Sequence, residues 1–513
     1  MTRIRPPKAA PSGPGAGARR SFAAALLCLA GLAGEASVAH PAAAAPAAPA
    51  AALLPTYLGA LAPGTWTSTI PTLADPTQTW ELYLPKAYAA TRKWPVLILF
   101  DPRSHGKQAA ELFRDAADEF GWILASSNNT MSDGPSAPNA RAINAMIPDI
   151  MKRLPIDEKR IYAGGFSGGA VLAWTVGLRA NLLAGVISIG GRPAPEHLAL
   201  VPKFALFAAA GEGDFNYQPT RELDAIAAKA GVPHRLEFFP GPHAWCPPET
   251  ARHAVRWLEI LAMRDGRALR DDERIERTLA EEAAGAEALA SAGDALAAGR
   301  KLTEIGETFA GLASQGAVER AALRAAELLS SSAAKTSAKE EKAAEKYESQ
   351  TFRRIGEASG LLRTSERPVT VGELRHLLGV DDAMRRRAAG GIGGAAGVRA
   401  LAAVQVHLGY YLAQDLFAAN DYRRAVPGLH LVTEIFPDNS FMLYNLACAQ
   451  ARSGLPEAAL ASLGAALEHG LQRPLQMEID ADLASLRDRP EFARLRERAR
   501  ELEAAKTPIP SAE

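Results

Sequence analysis

The sequence predicts an α/β protein: a doubly wound, mostly parallel sheet followed by an all-α helical-repeat domain. Three observations carry this. Between residues 65 and 262, short apolar runs suited to strands alternate with amphipathic helical segments. After Asp271 the strand signal stops, and Ala, Leu, Glu and Arg dominate. Near the C-terminus, matching positions recur at an offset of 34 residues, the length of a helix–turn–helix repeat.

The strand candidates are residues 79–84, 95–100, 122–125, 160–166, 185–189, 204–208 and 234–239. The run 95–100, Pro-Val-Leu-Ile-Leu-Phe, is apolar throughout, as befits a strand buried on both faces. Helical segments at 109–120, 140–154, 170–180, 220–230 and 250–262 fall between or after them. A sheet of this kind places its ligand site at the carboxyl ends of the strands.

At 513 residues the chain is too long for one ordinary core, so two or three domains are expected. Lys+Arg and Asp+Glu balance at 57 each, which removes a global electrostatic case for nucleic acid or an anionic membrane. No internal apolar run is long enough to span a bilayer. The N-terminus has another character. Arg3, Arg5, Lys8, Arg19 and Arg20 precede an apolar stretch at 22–32, and small residues at 36–39 offer a cleavage site. Residues 1–39 therefore read as an export signal, giving a periplasmic or secreted protein. Arg19-Arg20-Ser21-Phe22 also resembles a twin-arginine signal, and the general secretory route stays open beside it. Leu27 before Cys28 argues against lipidation. Residues 40–64 are an Ala/Pro-rich linker. Cys246 and Cys448 fall in different predicted domains, so a disulfide between them is not favoured, and no cysteine or histidine spacing suggests a metal or cofactor.

The chemistry centres on Gly165-Phe166-Ser167-Gly168-Gly169, set between a strand and a helix. Small residues on both sides of a serine permit a tight turn that lifts its hydroxyl above the sheet. A serine hydroxyl is a poor nucleophile without an imidazole, and the imidazole needs a carboxylate to fix its tautomer. Asp214 and His243 each stand just past a later strand, on the edge expected for Ser167. Glu212 is the alternative acid, nearer the strand end. His234 precedes its strand and His253 falls within a helix, so neither suits the base, and His105 is expected to shape its loop. The oxyanion of a tetrahedral intermediate would rest on the Gly168 N–H and on a second donor from loop 101–106. Pro102 has no N–H, which makes Arg103 the expected second donor. Asn128 and Asn129, after the third of these runs, are either substrate contacts or turn residues. Trp245 either lines an acyl pocket or packs. Cys246 reads as a bystander.

Residues 65–265 resemble the α/β-hydrolase superfamily, in its esterase and polyhydroxybutyrate-depolymerase-like branch. The likeness rests on Gly-Phe-Ser-Gly-Gly-Ala at the elbow, Gly-x-x-Asp ending at Asp214, and Gly-Pro-His-Ala-Trp around His243. It implies Ser167 as nucleophile, His243 as general base and then acid, and Asp214 as orienting carboxylate, cleaving esters or, with the same triad, peptides. One departure is Asp101-Pro102-Arg103-Ser104, which intervenes before His105-Gly106 where the branch carries His-Gly directly after its strand.

Residues 266–395 read as a helical connecting region. Within it, 330–347 is either an exposed helix or a flexible joint, and 390–394 is a glycine-rich breaker. From 396 to 500, Leu412 and Ala413 recur as Leu446 and Ala447, and Ala425 and Leu429 as Ala459 and Leu463. The pattern resembles tetratricopeptide repeats, with Asn420 and Gly454 at turns, Pro437 between units and 480–495 as a cap. Residues 294–312 read as a diverged unit. Such repeats imply a groove for a protein partner. The same feature supports a rival reading, an interaction protein whose hydrolase fold is inert or secondary. Residues 501–513 are expected to be a flexible tail.

Overall fold

A computed structural model describes residues 58–197 and 200–506. The export signal, most of the linker and the end of the expected tail lie outside the described residues. The described chain divides into two units. The first runs to Glu212 and resumes over Asn216–Ala333; the second comprises Gly213–Phe215 and the chain from Ala334.

The first unit is built on eight strands: β1 (Trp66–Pro71), β2 (Thr79–Tyr83), β3 (Trp94–Phe100), β4 (Ile123–Ser127), β5 (Ile156–Phe166), β6 (Gly185–Ile189), β7 (Ala205–Gly211) and β8 (His234–Phe239). They lie in the order β1-β2-β4-β3-β5-β6-β7-β8. The pairs β1–β2 and β2–β4 are antiparallel and the rest are parallel. This is the sheet of the α/β-hydrolase fold. All seven expected strands are present. The eighth, β1, is largely polar, shifts register between Thr67 and Ile70 and ends at a proline, so it carries no clear strand pattern.

The helices of the sheet domain are α1 (Gly106–Glu111), α2 (Arg114–Phe120), α3 (Ser136–Arg153), α4 (Gly168–Ala180), α5 (Tyr217–Ala230) and α6 (Pro248–Arg264). The single helix expected at 109–120 is broken into α1 and α2. Each face of the sheet carries its own apolar core. Along β3, Val96, Ile98 and Phe100 enter one and Leu97 and Leu99 the other, the period-two alternation of a strand covered on both sides. Burying each such side chain contributes about 1.5–3 kcal/mol.

The first unit continues past the expected boundary at 265. Helices α7 (Asp272–Ser291), α8 (Ala295–Phe309) and α9 (Gln315–Ser330) belong to it. Ile275, Leu279, Leu302, Ile305 and Phe309 pack against Ile260 and Met263 of α6. A buried ionic cluster adds to this seam. Glu282 of α7 accepts from Arg235 of β8 at 3.2 and 2.8 Å, from Arg256 of α6, and faces Lys301 of α8 at 3.2 Å. Burial alone would raise the Glu282 carboxyl, but Arg235, Lys301 and Arg256 outweigh it and hold the group below the usual carboxylate range.

Leading into the second unit, α10 (Ser332–Thr364) is one long helix, so the stretch 330–347 is helical from Ser332 on, after a break at Ser331. Then come α11 (Val371–Leu378), α12 (Val380–Ala389) and α13 (Gly391–Val406). Thr370 and Glu373 form a reciprocal capping box at the start of α11. A π-turn at His407–Leu412 leads into α14 (Ala413–Ala418), followed by α15 (Tyr422–Ile435), α16 (Ser440–Arg452) and α17 (Pro456–Glu468). Asn420 and Gly454, the expected turn residues, both have positive φ, 56° and 74°. Ala413, Ala425, Ala447 and Ala459 are all buried where helices meet. The chain closes with α18 (Gln476–Ile479), a 3₁₀ turn (Ala481–Leu486) and α19 (Pro490–Lys506). Residues 501–506, expected to be flexible tail, are therefore helix.

Candidate active site

Ser167 occupies the junction between β5 and α4, with φ 53° and ψ −121°. A non-glycine residue rarely holds a positive φ, and the conformation stores strain that its surroundings must sustain. Here the Ser167 N–H donates to the Ile189 carbonyl at 2.9 Å. The flanking glycines are needed for space. A Cβ at Gly165 would lie 2.3 Å from the Gly169 carbonyl, and one at Gly169 would lie 1.9 Å from the Phe100 oxygen. As the first residue of α4, Gly168 has no carbonyl within its own helix for its N–H, so that donor is open to a ligand.

His243 reaches Ser167 from the loop after β8. Its Nε2 lies 3.0 Å from the Ser167 Oγ. With Nδ1 protonated, Nε2 accepts the serine O–H. The imidazole leans on the Phe166 ring, with centroids 4.6 Å apart. Gly211 at the end of β7 lets this loop come close, since a Cβ there would meet the Gly241 and Pro242 oxygens at 2.4 Å.

Trp245 continues the same loop. Its indole N–H donates to Asp101 Oδ2 at 2.9 Å, and its ring contacts Phe113 edge-on and Phe166 at 5.7 Å. It therefore packs against both rings and braces the loop. Asp101 is 5% exposed, and its other oxygen accepts the N–H of Arg103 at 2.8 Å and of His105 at 3.0 Å. Sequence reasoning missed Asp101, although an aspartate before Pro-x at a strand end is a known turn signal.

Three expectations need correction. The Arg103 N–H is engaged by Asp101, so it is not an oxyanion donor in this structure. Asn128 donates to Thr79 Oγ1 and Glu81 Oε1 at 3.3 and 2.7 Å, which turns it toward β2. Asn129 accepts the Thr79 N–H at 2.6 Å and donates to the Thr77 carbonyl, so it too ties the end of β4 to the start of β2.

Of the two candidate acids past β7, Asp214 is 1% exposed while Glu212 lies on the surface. His234 is bound to Asp224 and the Val232 carbonyl, and His253 to Glu237, in keeping with structural roles for both. Cys246 is a free, buried thiol whose pKa burial pushes up, the opposite of what a nucleophile needs. Cys448 is also free and buried. The ligand atoms of Cys448, Asp480 and Asp482 lie within 4.8 Å of one another. Tyr444 and Tyr422 each donate to one of these carboxylates at 2.7 Å, and Arg452 stands 3.4 Å from Asp482. That donor set suits a hydrogen-bonded helix contact better than a cation.

Comparison with protein-family profiles gives no match, and comparison with curated protein sequences gives none. Solved structures do overlap the chain. An S-formylglutathione hydrolase from Staphylococcus aureus is 16% identical, covers 39% of this chain and 99% of its own, and has a TM-score of 0.33. A hyperthermophilic esterase from the archaeon Pyrobaculum calidifontis is 13% identical over 40% of this chain and 88% of its own, with a TM-score of 0.32. Dipeptidyl peptidase 4 from Porphyromonas gingivalis is 15% identical over 38% of this chain and 35% of its own, with a TM-score of 0.30.

Proposed function

We propose that this chain is an exported serine hydrolase that cleaves carboxylic esters through an acyl-enzyme intermediate. The observation that carries the reading is the 3.0 Å approach of His243 Nε2 to the Ser167 Oγ, made at a strained elbow above the sheet. In this scheme Ser167 attacks the acyl carbon while His243 takes its proton. The Gly168 N–H stabilises the developing oxyanion. His243 then returns the proton to the leaving alcohol and activates the water that clears the acyl group. Asp214 is the proposed orienting carboxylate, on its place in chain order and its burial. The scheme requires no metal or cofactor. Export, by the secretory or the twin-arginine route, rests on the N-terminal sequence alone.

Turnover of short-chain p-nitrophenyl esters, together with labelling by a fluorophosphonate probe, tests the proposal. Wild type should react and Ser167→Ala should do neither. An unlabelled wild type overturns it. Peptide p-nitroanilides separate a peptidase with the same residues from an esterase.

A second role is supported by the 34-residue recurrence together with the matched positive φ at Asn420 and Gly454. We propose that the tetratricopeptide-like helices bind a protein partner. In that role the sheet domain is a passenger if Ser167 proves unreactive. Capture of the same partner by wild type and by Ser167→Ala would support binding independent of catalysis.

A further inference from the structure

Between Pro102 and His105 every backbone N–H is accounted for. Pro102 has none, Arg103 and His105 donate to Asp101 Oδ1, and Ser104 donates to the Thr130 carbonyl at 3.0 Å. This stretch of loop offers nothing to an oxyanion. A different loop supplies an unassigned candidate. The Ser132 hydroxyl oxygen is sealed from solvent and has no hydrogen-bond partner among the described residues. Leaving a buried hydroxyl unsatisfied costs about 1–3 kcal/mol, so a group held in that state invites a ligand.

Its position gives that ligand an identity. A Cβ built on Gly168 would fall 1.9 Å from Ser132 Oγ and 2.9 Å from Ser132 Cβ. The hydroxyl thus lies directly against the residue whose N–H is the first oxyanion donor. We propose that Ser132 supplies the second donor, its O–H turning onto the carbonyl oxygen of the bound ester as that oxygen gains charge. This rests on the reading of Ser167 as nucleophile.

The backbone that carries Ser132 is fixed in advance. Its N–H donates to the Pro102 carbonyl at 2.8 Å, and Met131 pairs with Arg103 across an isolated bridge. Asn139 clasps Met131 on both sides, accepting its N–H at 2.8 Å and donating to its carbonyl at 2.7 Å. The Thr130 hydroxyl donates to the Asp101 carbonyl at 3.1 Å. Rotation of the Ser132 side chain re-aims its hydroxyl without moving any of these bonds. A donor on a rigid support costs little reorganisation when charge develops.

The test compares wild type, Ser132→Ala and Ser132→Thr as full chains. We expect Ser132→Ala to lower kcat about 10²–10³-fold with KM nearly unchanged, the range for loss of one oxyanion donor. Affinity for a trifluoromethyl ketone, which mimics the tetrahedral state, should fall by a similar factor. Ser132→Thr, which keeps the hydroxyl, should recover much of both. A kcat for Ser132→Ala within threefold of wild type overturns the proposal. So does a loss that comes with a lowered melting temperature and no recovery in the threonine variant. If wild type itself is neither labelled by fluorophosphonate nor active, the Ser167 reading fails first and this one with it. If wild type is labelled and Ser132→Ala is unaffected, only this one fails.

Discussion

The Trp245 indole nitrogen stands 2.9 Å from Asp101 Oδ2, joining residues 144 positions apart in the chain. Through this bond the loop that carries His243 is fastened to the loop after β3. The Phe166 ring, adjacent to Ser167, lies against both Trp245 and His243. One carboxylate thus helps to set two loops beside the nucleophile.

Replacing Trp245 with Phe keeps a ring in place and removes only the donor. A hydrogen bond to a charged group contributes about 1.5–3 kcal/mol. The variant should melt several degrees lower in thermal denaturation, and its kcat should fall more than its KM rises, because the histidine loop loses its brace.

His243→Gln removes the proposed base without emptying the space. Ester turnover should drop by about 10⁴-fold or more, measured as kcat, while the circular dichroism spectrum stays that of wild type. Retention of a tenth of wild-type turnover would rule out His243 as the base.

The two glycines after Ser167 should differ sharply. At Gly169 an added Cβ meets the Phe100 carbonyl, a backbone atom that cannot step aside. Gly169→Ala should therefore destabilise the fold by about 1–3 kcal/mol or more, seen as a lowered urea midpoint. At Gly168 the nearest obstacle is the Ser132 hydroxyl, which can rotate, while the Ser132 Cβ at 2.9 Å must give only slightly. Gly168→Ala should stay folded and lose activity.

These glycines also show what the sequence made legible. Tight approach at an elbow is a local demand, so Gly-x-Ser-x-Gly reads directly from the chain. The parallel strands announce themselves too, because burial on both faces leaves continuous apolar runs such as 95–100. Asn128 and Asn129 were opaque for the opposite reason. Their partners, Thr77, Thr79 and Glu81, lie about 50 residues earlier, on or just before a strand that pairs with β4 only in the folded sheet. Arg103 was lost to a neighbour two residues away, a turn bond that Asp101-Pro102-Arg103 does signal. Glu282 carries no local signal, because its partners Arg235 and Arg256 belong to β8 and α6 and meet it only in the folded chain.

Glu282→Ala should be among the most damaging substitutions away from the site. It leaves Arg235 and Arg256, 7% and 5% exposed, without their shared carboxylate. Leaving a buried charge unpaired costs about 3–5 kcal/mol, and because Glu281 still faces Arg256 and Glu304 still faces Arg235, the loss should lie toward the lower end. The sign with pH follows from its depressed pKa: the contribution is whole above the unfolded carboxylate value and is lost as acid drives the folded group to protonate. Wild type and Glu282→Ala should therefore converge in denaturant midpoint at strongly acidic pH.

Glu304 in the same cluster behaves inversely. Burial pushes it from an ordinary 4.5 up to about 7, against the pull of Arg235 and Lys301. The folded state then holds a proton that the unfolded chain has released, so stability declines as pH rises from 4.5 to about 7. Glu304→Gln should relieve this above neutral pH and make little difference near pH 4.5. The side chain keeps 32% of its surface in solvent, so the gain at alkaline pH should be about 1 kcal/mol, read from urea midpoints across the range.

The Glu282 seam also decides how little of this protein can stand by itself. Someone cutting the gene where strand and helix stop alternating, near 265, would release a fragment with two stranded guanidinium groups and a greasy flank along α6. Such a fragment is headed for inclusion bodies, whatever chemistry its serine can perform. The smallest handle on the sheet domain extends to about 333, where the first unit ends.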